Sequence, residues 1–201
     1  MEPILADNDK RSDKRALITD AAVEVFAEKG FHQARVSDIA RRAGVADGTI
    51  YLYFKNKEDM LLSVFETKMD ALISGLQQAL ETVTTVPERI ATFSLFHFTQ
   101  VRDNRAAAEV MQVELRLSHK FLKEYRPEKL WAYIGVFTEI VKDGQEQGLF
   151  RPDLDPFIQS WAFFGALDEL SMQWVLSRKP RFTVEAAANQ VAETFVRGLS
   201  V

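Results

Sequence analysis

Between Val36 and Phe54 the chain places two short helical stretches on either side of one glycine, Gly44. The first runs over about Val36–Ala43. The second starts near Asp47 and covers Thr49–Phe54. Two short helices that meet at a glycine-containing turn make a helix-turn-helix, whose second helix can lie in the DNA major groove. Gly44 supplies the positive backbone dihedral of a tight reversal, and Val45 can plug the angle between the helices. Asp47 can cap the exposed amides of the second helix.

The same stretch interleaves rings with charges. Ile50 and Phe54 stand four residues apart and face inward, whereas Tyr51 and Tyr53 lie on other faces. A tyrosine offers a ring for packing and a hydroxyl that reaches a phosphate. Lys55 and Lys57 add positive charge where a DNA backbone would pass, and Asn56 caps a long following helix whose amino end offers amides to an anion. The segment reads as core and contact surface at once. Read singly, these residues describe only a small helical subdomain with tyrosines at its rim.

Elsewhere the apolar spacing is helical throughout, with no strand alternation. A first helix runs from Asp13, with Leu17, Ala21 and Val25 beside Ile18, Ala22 and Phe26, and stops at Gly30. Residues 1–8 have no periodicity. The fourth helix carries Met60, Leu61, Val64, Phe65, Met69 and Leu72. Later helices follow Pro87, span about 104–117, and run from Pro127 to Gly144 or Gly148. RPDLDP (151–156) is a turn, and the last two helices cover about 156–178 and 183–199. The expectation is an all-α chain of about nine helices. Residues 9–57 form a three-helix DNA-binding domain, and residues 58–201 a larger helical domain.

Charge supports this division. Ten Lys and Arg face seven acids between Asp9 and Lys57, although the whole chain carries a net charge of −4. A basic head on an acidic body suits a localised anionic partner. The chain has no cysteine, which excludes disulfides and thiolate metal sites. The absence of a long apolar run and of a signal-like start leads us to expect a cytoplasmic protein with no membrane partner.

The stretch VSDIARRAGVADGTIYLYFKNKEDML resembles the DNA-binding signature of the TetR family of bacterial transcriptional regulators. The resemblance implies a homodimer that reads a palindromic operator with one head per subunit. It assigns base-edge contacts to Asp47, Gly48, Thr49, Leu52 and Tyr53. Phosphate contacts fall to Arg35, Val36 and Ser37 at the start of the second helix, to Tyr51 and to Lys57. Many members have threonine in place of Arg35 and lysine in place of Asp47. Arg35 still pairs with phosphate, whereas Asp47 suits a helix cap or a cytosine amine.

In such regulators the larger domain encloses an effector and carries the dimer interface in its last two helices. Trp161, Phe164, Leu167 and Trp174, with Val191, Phe195 and Leu199, could form that seam or pack within the subunit. Ile90, Phe93 and His97 share one helical face, and Met111, Leu115, Phe137 and Phe163 extend the expected lining. Arg102, Arg105 and Arg116 form a cationic set nearby, with His119 and Lys120. An apolar chamber with arginines at its mouth suits an amphiphile bearing phosphate or carboxylate. The bland alternative leaves these arginines solvated or pairs them with Glu109, Glu114 and Glu124.

GFHQARVSDIARRAGVADGTIYLYFKNKEDML and MQVELRLSHKF together resemble the acyl-CoA-responsive members of the family, which repress fatty-acid degradation genes. This resemblance implies a long-chain acyl-CoA effector that releases the repressor. An efflux-pump regulator answering to aromatic or cationic drugs stays open, because Asp168 and Glu169 could face such a cation. No cofactor or metal is expected. G-x-S-x-G, P-loop, G-x-G-x-x-G and H-E-x-x-H patterns are absent, so no enzyme is expected.

Overall fold

The structure is a computed structural model that describes residues 3–115 and 124–201, with side chains from residue 11 onward. Its helices are α1 (Pro3–Lys29), α2 (Val36–Arg42), α3 (Asp47–Ile50), α4 (Lys57–Leu80), α5 (Val86–Asp103), α6 (Arg105–Glu109), α7 (Glu128–Glu146), α8 (Pro156–Leu176) and α9 (Val184–Leu199). Among the described residues the sole strand-like pairing is an isolated bridge between Phe150 and Ser200. Contacts divide the chain into two compact units. One is Met1–Thr67 with Glu109–Tyr125, and the other is Lys68–Ala108 with Arg126–Val201.

In the first unit, α1 begins about ten residues before the Asp13 start that periodicity marks. Proline is tolerated in a first helical turn, and the unpatterned residues after it include good helix formers. Ile18, Ala22, Val25 and Phe26 are buried as expected, but Leu17 is 51% exposed. The apolar period runs on past the edge of the core. Gly30 ends α1 at φ +74°, its amide bonded to the Phe26 carbonyl at 2.8 Å. Phe31 then folds back on Phe26 with ring centroids 5.4 Å apart.

The second unit packs α5 on α9 and α7 on α8. Phe93, Phe98, Tyr133, Phe137 and Phe163 are among its fully buried side chains. Pro156 sits in the first turn of α8, where the Asp155 carboxylate accepts from the Phe157 amide at 2.8 Å. Thr183 caps α9 through the Ala186 amide at 3.1 Å. α7 runs through Gly144 and stops before Gly148, which adopts φ +68°. Gly144 has a different reason to be glycine: a Cβ there would lie 2.2 Å from the ring of Phe150. The chain then pairs Arg151 N–H with the Leu199 carbonyl at 2.8 Å, fastening the turn to the end of α9.

The stretch read as one helix over about 104–117 is interrupted. α6 lasts five residues and passes into a π-helical stretch, Val110–Glu114. Glu114 accepts a hydrogen bond from the Phe31 amide at 3.0 Å, within the first unit.

Candidate nucleic-acid interface and effector core

α2 and α3 meet as the sequence requires. Gly44 has φ +64°, and Val45 N–H returns to the Ala40 carbonyl at 2.9 Å. Ile39, Ala40, Ile50 and Phe54 are buried on the inner side. α3 is shorter than expected, because only Asp47–Ile50 is regular helix and residues 51–53 continue as turns. Ala46 is the N-cap, and Asp47 falls inside the first turn with no cap bond from its side chain. The expected capping role of Asp47 is therefore wrong by one position. Its carboxylate still lies beside the positive end of the helix.

The outer side of this element is open. Tyr51 is 60% and Leu52 71% exposed, Asp47 and Gly48 are exposed, and Thr49 and Tyr53 are half-buried. Arg35 and Ser37 are exposed and Val36 half-buried at the start of α2. A large apolar side chain held in water beside a tyrosine is an unused contact surface.

The charges around it divide into two groups. Arg42 bonds Glu24 and Glu28 of α1 at 2.6 and 2.7 Å, tying the two helices together. That hydrogen bond holds the Glu28 carboxyl below its usual range. Asp38 takes Lys29 at 2.8 Å, the Arg35 amide at 3.3 Å and Arg41. The Lys29 contact is the main reason its pKa is lowered. These cations are already neutralised. Among the described residues, the side chains of Arg35 and Lys55 have no acidic partner.

Lys57 turns inward. Its ammonium donates to the carbonyls of Phe31 and Ala34 at 2.5 and 3.0 Å, and to His32 at 3.3 Å. It also lies 4.5 Å from the centroid of the Phe31 ring. It thus clamps the loop between α1 and α2. Lys57→Met should therefore lower folding stability by about 1–3 kcal/mol, the usual cost of stranding partly buried acceptors; thermal denaturation checks this. The amino end of α4 is also less free than expected. Asn56 Oδ1 accepts from Asp59 N–H at 2.7 Å, and Asp59 accepts from Lys55 N–H at 3.0 Å. Asn56 is the cap that the sequence indicates, and capping takes up the Asp59 amide, one of those expected to meet an anion. Lys55 outside and Lys57 inside could not be told apart from the sequence.

In the second unit, Ile90, Phe93, His97, Phe137 and Phe163 are all buried. The three phenylalanine rings pack directly against one another. Phe137 and Phe163 stack at 3.8 Å, and Phe93 meets Phe163 edge-on at 5.3 Å. Phe195 closes on Phe163 at 5.1 Å. His97 Nδ1 faces the Tyr133 hydroxyl at 3.1 Å and Nε2 the Ser171 hydroxyl at 3.2 Å. A neutral ring offers one N–H and one lone pair, so it satisfies one hydroxyl in each sense. Burial depresses the His97 pKa to about 4, against a smaller upward pull from Asp168. Burial also raises that of Tyr133, so its hydroxyl stays protonated. Ser94, one turn before His97, buries a hydroxyl with no partner among the described residues.

The cationic set is not free. Arg102 bonds Asp103 and Glu185 at 2.8 and 2.6 Å. Arg105 donates to the Val175 and Ser177 carbonyls at 2.6 and 3.0 Å and lies 5.0 Å over the Trp174 ring. Arg102 and Arg105 are therefore paired, though with partners other than the glutamates the sequence put forward. Met111 and Leu115 belong to the first unit. Arg116, His119 and Lys120 lie outside the described residues. Of the acids kept for a drug cation, Glu169 is exposed and accepts from Gln173 at 2.9 Å. Among the described residues no cluster of His, Asp or Glu could hold a metal ion. No helix among them is long and apolar enough to cross a membrane.

A glycine-turned helix pair with an open outer rod defines a helix-turn-helix protein of the DNA-binding kind. Residues 18–64 match the family described as bacterial regulatory proteins, tetR family, and residues 65–198 match the YsiA-like protein, C-terminal region. The chain belongs to the TetR family of bacterial regulatory proteins. It is 40% identical over 182 residues to the fatty acid metabolism regulator protein of Bacillus subtilis (strain 168), covering 90% of this chain and 93% of that one. The fatty acid degradation regulator FadR of Bacillus halodurans superposes with a TM-score of 0.85 at 39% identity, covering 92% and 96% of the two chains. FadR of Bacillus subtilis in complex with stearoyl-CoA gives a TM-score of 0.84, also at 39% identity, over 92% and 98%.

Proposed function

We propose that this chain is a transcriptional repressor of fatty-acid degradation genes that binds a palindromic operator as a homodimer and is released by long-chain acyl-CoA. The observation that carries the reading is its likeness, along nine-tenths of its length, to a regulator solved with stearoyl-CoA. Asp47, Gly48, Thr49, Leu52 and Tyr53 face the bases in this reading. Arg35, Val36, Ser37 and Tyr51 meet phosphates. Lys55 joins them, and Lys57 acts by holding the loop.

The packed rings supply a physical reason for release. An acyl chain that enters between Phe93, Phe137 and Phe163 would part them, so the liganded and unliganded shapes would differ. A ligand that prefers the parted shape shifts the population toward it, and operator DNA must weaken acyl-CoA binding by the same factor. Each buried methylene contributes about 0.8 kcal/mol, so longer chains release better until the space is full.

The dimer contact is best placed on α8. Phe157 and Ile158 are more than half exposed, and Trp161 beside them is 39% exposed. Such a strip is self-complementary across a twofold axis. Leu167, Val191 and Leu199 are instead buried within the subunit, and Phe195 joins the ring cluster. Those four belong to the core rather than to the seam.

Native mass spectrometry of the purified chain tests both parts. The expected species is twice 22.9 kDa, carrying acyl-CoA adducts that dissociate it from operator DNA in proportion to chain length. A monomer, or operator binding indifferent to acyl-CoA of every length, would overturn the reading.

A further inference from the structure

Between Arg11 and Leu17, α1 has no core to serve. From Arg11 to Leu17 every side chain is exposed, and burial begins abruptly at Ile18. A helical segment with no buried face gains little stability from itself in water and reads as a bridge to something else. This stretch also precedes residue 18, where the match to the family begins.

Its charges are sorted by face. On a repeat of 3.6 residues per turn, Arg11, Lys14 and Arg15 fall within an arc of about 100°. That arc prolongs the buried stripe of Ile18, Ala22 and Val25 past the end of the core. Asp13 and Asp20 fall on the opposite side. Among the described residues neither Arg11 nor Lys14 has an acidic partner. The row is anchored to the recognition element, because the Arg15 guanidinium lies 5.3 Å over the ring of Phe54. Phe54 ends the turns that follow α3, and Lys55 comes next with its side chain exposed. Lys55, Arg15, Lys14 and Arg11 thus form a cationic track leading away from the helix-turn-helix.

We infer that this face of α1 is a second duplex-backbone contact, extending the footprint beyond the recognition helix and adding affinity without sequence preference. The inference rests on the operator-binding reading above. Phosphates carry charge but no sequence information, so a track of isolated cations with no shaped pocket suits them and not base edges.

The test uses the full chain and a duplex selected from a random pool, beside a scrambled duplex of equal length. Affinity is measured across a salt series for the unmodified chain and for Arg11→Ala with Lys14→Ala. Alanine is the best helix former, so the exposed helix persists, and circular dichroism verifies this. Losing two phosphate contacts should reduce the slope of log affinity against log salt by about 1.8. Both duplexes should weaken by the same factor. An unchanged slope, or a loss confined to the selected duplex, overturns the inference and leaves the operator reading standing. Failure of the unmodified chain to bind any duplex removes both.

Discussion

Gly144→Ala should destabilise the chain by about 2–3 kcal/mol, although alanine favours a helix interior. The added Cβ would sit 2.2 Å from Cδ2 and 2.6 Å from Cε2 of Phe150. No contact of that length survives, so the ring must leave a site where it is only 2% exposed. Exposing a buried phenylalanine and crowding its neighbours together cost about 3–4 kcal/mol, against about 1 kcal/mol gained in helix propensity, for a net of about 2–3 kcal/mol. For a chain of this size that is a melting-point drop of roughly 4–10 °C. The mechanism predicts a specific reversal. In a Phe150→Ala background the clash is gone, and Gly144→Ala should become neutral or stabilising by up to about 1 kcal/mol, the helix propensity difference. A double-mutant cycle followed by thermal denaturation reads the coupling. Additive effects would mean that the ring and the glycine do not meet.

His97 should make the protein acid-sensitive in a window of its own. Its folded pKa is depressed to about 4 by burial, whereas an unfolded histidine titrates near 6.5. The unfolded chain therefore binds more protons between these values, and stability rises with pH across the interval. The neutral ring's contribution is fully present above pH 6.5 and is lost as pH falls toward 4. The loss amounts to about 2 kcal/mol by pH 5 and about 3 kcal/mol by pH 4. Carboxylates with lowered pKa, such as Asp38 and Asp153, titrate below this window. Urea denaturation between pH 7.5 and 5 isolates the histidine. His97→Gln, which keeps one donor and one acceptor, should flatten the profile over that range. An equal slope in the variant would assign the sensitivity elsewhere.

The acid window also bears on the proposed effector response. The ring of His97 holds Tyr133 and Ser171 in place next to the stacked phenylalanines. A protonated ring would lose its one acceptor and strand a buried hydroxyl. Ligand entry and histidine protonation therefore strain the same packing.

Most helices, their glycine stops and the helix-turn-helix were legible because their determinants are local. Gly30, Gly44 and Gly148 all adopt the positive φ that their places at helix ends call for. Asn56 caps α4 through an amide three residues away, and Ile50 and Phe54 meet the core one turn apart. Each of these depends on residues within a turn or so, and chain order states such neighbours directly. Composition also separated a basic head from an acidic body.

Long-range partners were decided only in three dimensions. Counting charges could not say which are neutralised. Arg102 meets Glu185, Arg105 meets the end of α8, Lys57 meets the loop before α2, and Glu114 meets the Phe31 amide. Periodicity could not say where the core ends, so Leu17 continues an apolar stripe into solvent, and it left Leu167, Val191 and Leu199 open between seam and core until their burial within the subunit was seen. Gly144 looked like a helix stop because its true constraint, the ring of Phe150, arrives from a turn that folds back on the helix. Helical pattern fixes the face that a residue occupies. Which side chain waits on that face depends on how the helices pack, and that is a property of the folded chain as a whole.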